Sequence, residues 1–118
     1  MAKKSKRKIV IESRDFFWYV AEDDDALWLD ARNTLTIVSN DKKYLVKYPI
    51  QQQGDTNLLV VVGSEFGGDE EWGGTWKRIA CPCWETDHVI TPKIVSEIIH
   101  WSMGDKEIIW VDYLGNKQ

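Results

Sequence analysis

The stretch ITPKIVSEIIHWSMG, residues 90–104, decides the fold class, because it spaces its apolar residues as a helix does while the rest of the chain reads as short strands. Thr91 has the side chain of a good N-cap, and Pro92 suits the first helical position, where its missing N–H would have had no partner. Ile90 and Val95 are placed to pack across that cap as a hydrophobic staple. On a wheel of 3.6 residues per turn Ile94, Val95, Ile98, Ile99 and Met103 share one arc with Trp101 at its edge. Lys93, Ser96, Glu97 and His100 share the opposite arc. Gly104 then stands where a left-handed C′ residue ends a helix. Burying the aliphatic arc contributes on the order of 1.5–3 kcal/mol per side chain before entropy, so the helix is expected to be integral to the fold.

Upstream, KIVIE (residues 8–12) and FFWYVA (residues 16–21) read as two strands joined through Ser13-Arg14-Asp15. The acidic segment EDDDALWLDARN that follows reads as a loop. TLTIVS (residues 34–39) and YLVKY (residues 44–48) flank the polar turn Asn40-Asp41-Lys42-Lys43, and Pro49 ends the second arm because it cannot donate to a sheet ladder. LLVVV (residues 58–62) is apolar at consecutive positions, which predicts a central strand covered on both faces. Residues 63–74, GSEFGGDEEWGG, form a long glycine-rich and acidic loop. A strand-like pattern resumes over residues 76–81, CPCWETDH is irregular, and IIWVDY (residues 108–113) predicts a last strand after the helix. The fold expected is α+β: an antiparallel, twisted sheet of about six strands with one amphipathic helix packed on one face.

A chain of 118 residues is long enough to bury roughly two-thirds of its unfolded surface in one core. Residues 1–8 read as a basic, disordered tail and residues 9–118 as one globular domain. Five positive charges, Lys3, Lys4, Lys6, Arg7 and Lys8, open a chain whose net charge is −4, so residues 9–118 carry −9. A body of that sign repels phosphate, and nucleic-acid affinity would have to come from the tail. No apolar segment is long enough for a signal or a membrane span, and a cytoplasmic location is expected.

Cys81 and Cys83, one residue apart, are too close in the chain for an unstrained bridge. With His88 they are the one set of soft metal ligands here, and they mark a zinc-binding or thiol-dependent enzyme as the alternative reading. One-residue spacing on an extended segment turns the two sulfurs to opposite faces, which argues against a shared ion. No metal or other cofactor is therefore expected. His100 lies on the polar arc of the helix with no nucleophile placed beside it. The pairs Gly67-Gly68 and Gly73-Gly74 lack the lysine or helix start of a phosphate loop, and Asp69, Glu70 and Glu71 are consecutive where a calcium loop alternates its ligands. Of seven tryptophans, Trp18, Trp101 and Trp110 fit the core, whereas Trp72, Trp76 and Trp84 belong to or flank irregular, acidic segments. Phe66, Asp69, Glu70, Glu71, Trp72, Trp76 and Trp84 are thus the expected binding surface, aromatic anchors among carboxylates.

KIVIESRDFFWYV, LVKYP at residues 45–49 and ITPKIVSEII at residues 90–99 resemble a group of small bacterial cytoplasmic proteins without an assigned function. The resemblance implies an aromatic first hairpin, a strand ending in proline and a Thr-Pro-started helix in that order, and it implies no activity. The chain departs from that group in having Ser13-Arg14 where a glycine turn is common, and Gly104-Asp105 where Gly-Trp is common. The function expected from the residues is a non-enzymatic protein-binding module, in one form an acidic neutraliser of a basic partner. A nucleic-acid-associated protein acting through the basic N-terminal tail is a further alternative; nucleic acid is otherwise disfavoured as a partner, and no membrane is expected.

Overall fold

In the computed structural model residues 6–22, 33–50, 57–63, 65, 77–84, 89–104, 109 and 111 are described. Six strands follow one another: β1 (Arg7–Ile11), β2 (Arg14–Glu22), β3 (Asn33–Ser39), β4 (Leu45–Pro49), β5 (Asn57–Val61) and β6 (Lys77–Cys81). One helix, α1 (Pro92–Met103), comes after them. Each strand pairs antiparallel with the next, so the sheet is a meander in chain order.

The register explains why this sheet needs a helix. Ile9 stands opposite Phe16, Trp18 opposite Ile37, Ile37 opposite Val46, Leu35 opposite Tyr48, and Leu59 opposite Ile79. Directly opposed side chains share a face, so the alternating apolar residues of six strands gather on one side. Ile94, Val95, Ile98 and Ile99 of α1 join that side in a single core. The architecture is α+β, an antiparallel sheet with one amphipathic helix on one face, as the spacing of residues 90–104 requires.

β5 is buried at Leu58, Leu59, Val60 and Val61, the covering of both faces that its unbroken apolar run implies. Leu59 and Val61 face the helix, whereas Leu58 and Val60 pack with Val111 on the other side. Ile109 and Val111 also extend the sheet beyond β6. The Ala80 N–H donates to the Ile109 carbonyl at 2.8 Å, and the Val111 N–H donates to that of Arg78 at 3.1 Å. Partner numbers rise on one side as they fall on the other, which is the antiparallel sense.

Three local expectations change. The first hairpin turns on Glu12-Ser13, with Arg14 already in β2 and β1 beginning at Arg7. Gly104 is extended, at φ −86° and ψ 169°, and not left-handed; its N–H closes the helix on the carbonyls of His100 and Trp101. On the helix, Met103 is exposed while Ser102 is fully buried. The reason is that Ser102 stands one turn after Ile98 on the same face, where its hydroxyl has partners in the core.

Candidate functional site

In a meander the connections from β1 to β2, from β3 to β4 and from β5 to β6 all leave the sheet at the same end. Three unusual features meet at that end. The first is backbone strain. Glu12 and Ser13 have φ of 51° and 66°, and Lys42 in the next turn has φ of 64°; these are the non-glycine residues with positive φ among the described residues. A two-residue hairpin turn with both central φ positive normally takes Asn-Gly, because a side chain in the left-handed region costs roughly 1–2 kcal/mol. Strain of this kind collects where a structure positions something.

The second feature is a shared guanidinium. Arg14 stacks over the Phe16 ring, 5.1 Å from its centroid, and bonds Asp41 at 3.3 Å and, by a short contact, Glu65. It thereby ties the first turn to the second and to the exit of β5. The hydrogen bond to Glu65 is the largest influence on Arg14 and raises its pKa; burial, next in size, opposes it, and the charges of Glu65 and Asp41 add to the rise. Asp41 is held in turn by the Ser39 hydroxyl at 2.5 Å and the Lys43 N–H at 3.1 Å. The Ser39 bond first, and the Lys43 bond second, lower its carboxyl to about 2. Partly exposed ion pairs contribute only about 0.2–1 kcal/mol each, so this cluster orients the turns more than it stabilises the fold.

Glu65 reaches Arg14 because the chain kinks after β5. The N–H groups of Val62 and Gly63 both donate to the Leu45 carbonyl, at 2.9 and 3.0 Å, the mark of a β-bulge. A Cβ on Gly63 would lie 2.3 Å from the Lys43 carbonyl oxygen and 2.6 Å from the Leu45 nitrogen, so this close approach requires glycine. The Glu65 N–H then bonds the Lys43 carbonyl at 2.9 Å.

The third feature is a cleft of about 290 Å³ between the first turn and the end of α1. Its apolar walls are Ile11, Phe16, Ile99 and Met103, and its polar groups are Glu12, Arg14 and His100. The imidazole Nδ1 of His100 lies 3.3 Å from the Ser96 hydroxyl, one turn back on the exposed side of the helix. Beneath, the Tyr44 hydroxyl shares a 2.5 Å bond with Ser102, whose hydroxyl also donates to the Ile99 carbonyl at 3.0 Å. Burial raises the Tyr44 phenol far above its ordinary range, so it stays protonated. Glu12, Asp41 and Glu65 share this end with Arg14, Lys42, Lys43 and Lys77, so its charge is mixed.

Of the residues singled out from sequence, His100 lines the cleft and is exposed. Trp84 is half-buried and packs edge-to-face between Tyr48, at 5.5 Å, and Trp101, at 5.3 Å. Cys81 is half-buried against the helix-side core and Cys83 is exposed; neither forms a disulfide. Among the described residues no three His, Cys, Asp or Glu side chains converge as metal ligands. Phe66, Asp69, Glu70, Glu71, Trp72, Trp76 and His88 lie outside the described residues. Still, Val61 and Lys77 stand opposite each other, so the connection carrying the acidic, Trp-bearing sequence begins and ends at the sheet end that holds the cleft. Sequence reasoning passed over Glu12, Arg14, Asp41 and Glu65, whose association depends on strand register. Ser102 carried a signal, a lone hydroxyl within an apolar arc.

Comparison of the chain with protein-family models, curated proteins and solved structures finds no match.

Proposed function

We propose that this protein is a non-enzymatic module that binds a basic protein, seating an apolar side chain of that partner in the cleft between the Glu12-Ser13 turn and the end of α1. The observation that carries the reading is the cleft itself: apolar walls and the Glu12 carboxylate on a rim held in a strained turn. A volume of about 290 Å³ lies at the low end of sites for small molecules, roughly 300–1,000 Å³, and suits one large side chain. The net charge of −9 on residues 9–118 favours a cationic partner and speeds its approach. The reading puts the protein in the cytoplasm, where its thiols remain reduced.

Affinity capture from the native host, comparing wild type with Met103→Asp and Glu12→Lys, tests this. A protein of high isoelectric point is expected on the wild type and lost from both variants. If no basic protein is retained, or if both variants retain it equally, the reading is wrong.

A further inference from the structure

We infer that the outer edge of β1 pairs with the same edge of a second copy of this chain, antiparallel, with a two-fold axis between the two Val10 residues. This does not rest on the protein-binding reading, which uses the cleft and not the strand edge.

Topology leaves that edge open. β1 is the first strand of the sheet and pairs with β2, whereas beyond β6 the sheet is continued by Ile109 and Val111. Among the described residues no strand pairs with the outer side of β1. Arg7 and Lys8 are exposed, and Val10, at 56%, is the most exposed large hydrophobic among the described residues.

Register shows which backbone groups face outward. Ile11 and Arg14 close the two-residue turn, and the closing pair of such a hairpin exchanges both of its hydrogen bonds. Bonded and non-bonded pairs alternate along an antiparallel ladder, so Ile11, Ile9 and Arg7 are the residues bonded to β2. The N–H and C=O groups of Lys8 and Val10 therefore point away from the sheet. An exposed row of that kind is a template for another strand.

The sequence of the edge selects its occupant. Residues 8–12 read Lys-Ile-Val-Ile-Glu, a run that complements its own reverse. With Val10 opposite Val10 of the second copy, Ile9 stands opposite Ile11 and Lys8 opposite Glu12. The outward groups of the two Val10 residues then exchange two hydrogen bonds across the axis, an isologous contact. Apolar side chains meet on both faces: Val10 on the side away from α1, and Ile9 and Ile11 on the side where they already pack against the core. Lys8 keeps its own Asp15, at 3.5 Å, because an ammonium has three donors and Glu12 of the second copy needs only one. Charge opposes the alternative: parallel pairing in register sets Arg7 and Lys8 beside their counterparts, and like charges directly opposite are destabilising. Five residues a side fall below the roughly 1,200 Å² of a stable interface, so the dimer is reversible and depends on concentration.

The test is sedimentation velocity of the full chain from about 1 μM to about 1 mM. A monomer–dimer equilibrium is expected within that range. Val10→Lys should raise the dissociation constant about tenfold or more, by setting like charges across the axis where apolar surface was buried. Val10→Pro should abolish the dimer while sparing the monomer, since the lost N–H faces outward from an edge strand. Val10→Lys, at an exposed position, keeps the test valid if Val10→Pro fails to fold, and circular dichroism checks every variant. Lys8→Glu should weaken association, and adding Glu12→Lys should restore it, because the reversed run again complements itself. A chain monomeric throughout the series overturns the inference and leaves the edge to a strand of another protein. A dimer that survives both folded Val10 variants, or a charge swap that restores nothing, overturns it equally.

Discussion

Glu12 and Ser13 show how one pair of residues can set stability against shape. Both occupy the left-handed region that glycine and asparagine tolerate better. Replacing them with Asn-Gly is expected to stabilise the protein by about 1 kcal/mol or more, read as a rise in the denaturant midpoint. The same change removes the Glu12 carboxylate from the cleft and should weaken capture of a basic partner. A loss of stability would show that the Glu12 or Ser13 side chain contributes more than its backbone conformation costs. Asp41 gives a second prediction at this scale. Its folded pKa of about 2 lies below the ordinary 3.8, so the unfolded chain binds the proton more readily between those values. The stabilisation from its ionised form is therefore complete above about pH 4 and is lost as pH falls through about 2. Asp41→Asn should flatten the dependence of stability on pH across that window, measured by chemical denaturation at a series of pH values. An unchanged slope would contradict the hydrogen bonds assigned to Ser39 and Lys43.

Among the elements, the exit of β5 couples the sheet to the candidate site. The bulge at Val62 and Gly63 turns the chain so that Glu65 meets Arg14, and it works only because the backbone approaches Lys43 and Leu45 without a side chain between. Gly63→Ala is expected to cost about 1–3 kcal/mol, as overpacking does where backbone must give way. Its specific signature should be loss of the Arg14 and Glu65 pair, visible as sharpened exchange of the amides near residue 65 relative to those of β3. The helix is the more robust element. Its cap at Thr91, where the hydroxyl accepts from the Ile94 N–H at 3.3 Å, and its aliphatic arc were legible because a helix declares itself through neighbours three and four apart. Strands declare themselves equally locally through alternation, which is why the second hairpin, with its Asn40-Lys43 turn, stands where its residues predict. The first turn was not legible, since nothing in Glu12-Ser13 advertises a positive φ.

For the whole molecule, the sum of charge matters more than its arrangement at the cleft. Glu12, Asp41 and Glu65 stand at one end of the sheet among Arg14, Lys42 and Lys43, so long-range attraction for a basic partner falls to the net charge of −9 on residues 9–118. Neutralising Asp69, Glu70 and Glu71 as amides should slow association with a basic partner severalfold at low salt and little at high salt, since screening shortens the reach of the field to about 10 Å at 0.1 M. Stopped-flow rates over a salt series measure this, and a rate indifferent to those changes would exclude steering by that segment.

The sequence by itself determined the elements and their order: which stretches are strands, that one helix follows them, and which side of each is apolar. Those properties depend on residues at most four apart, and the chain carries them openly. Only the tertiary structure decided that Glu12, Arg14, Asp41, Glu65 and His100 belong to one end and that Ser102 serves Tyr44. These associations join residues up to dozens of positions apart. They are set by strand register, which a single residue's slip would reverse.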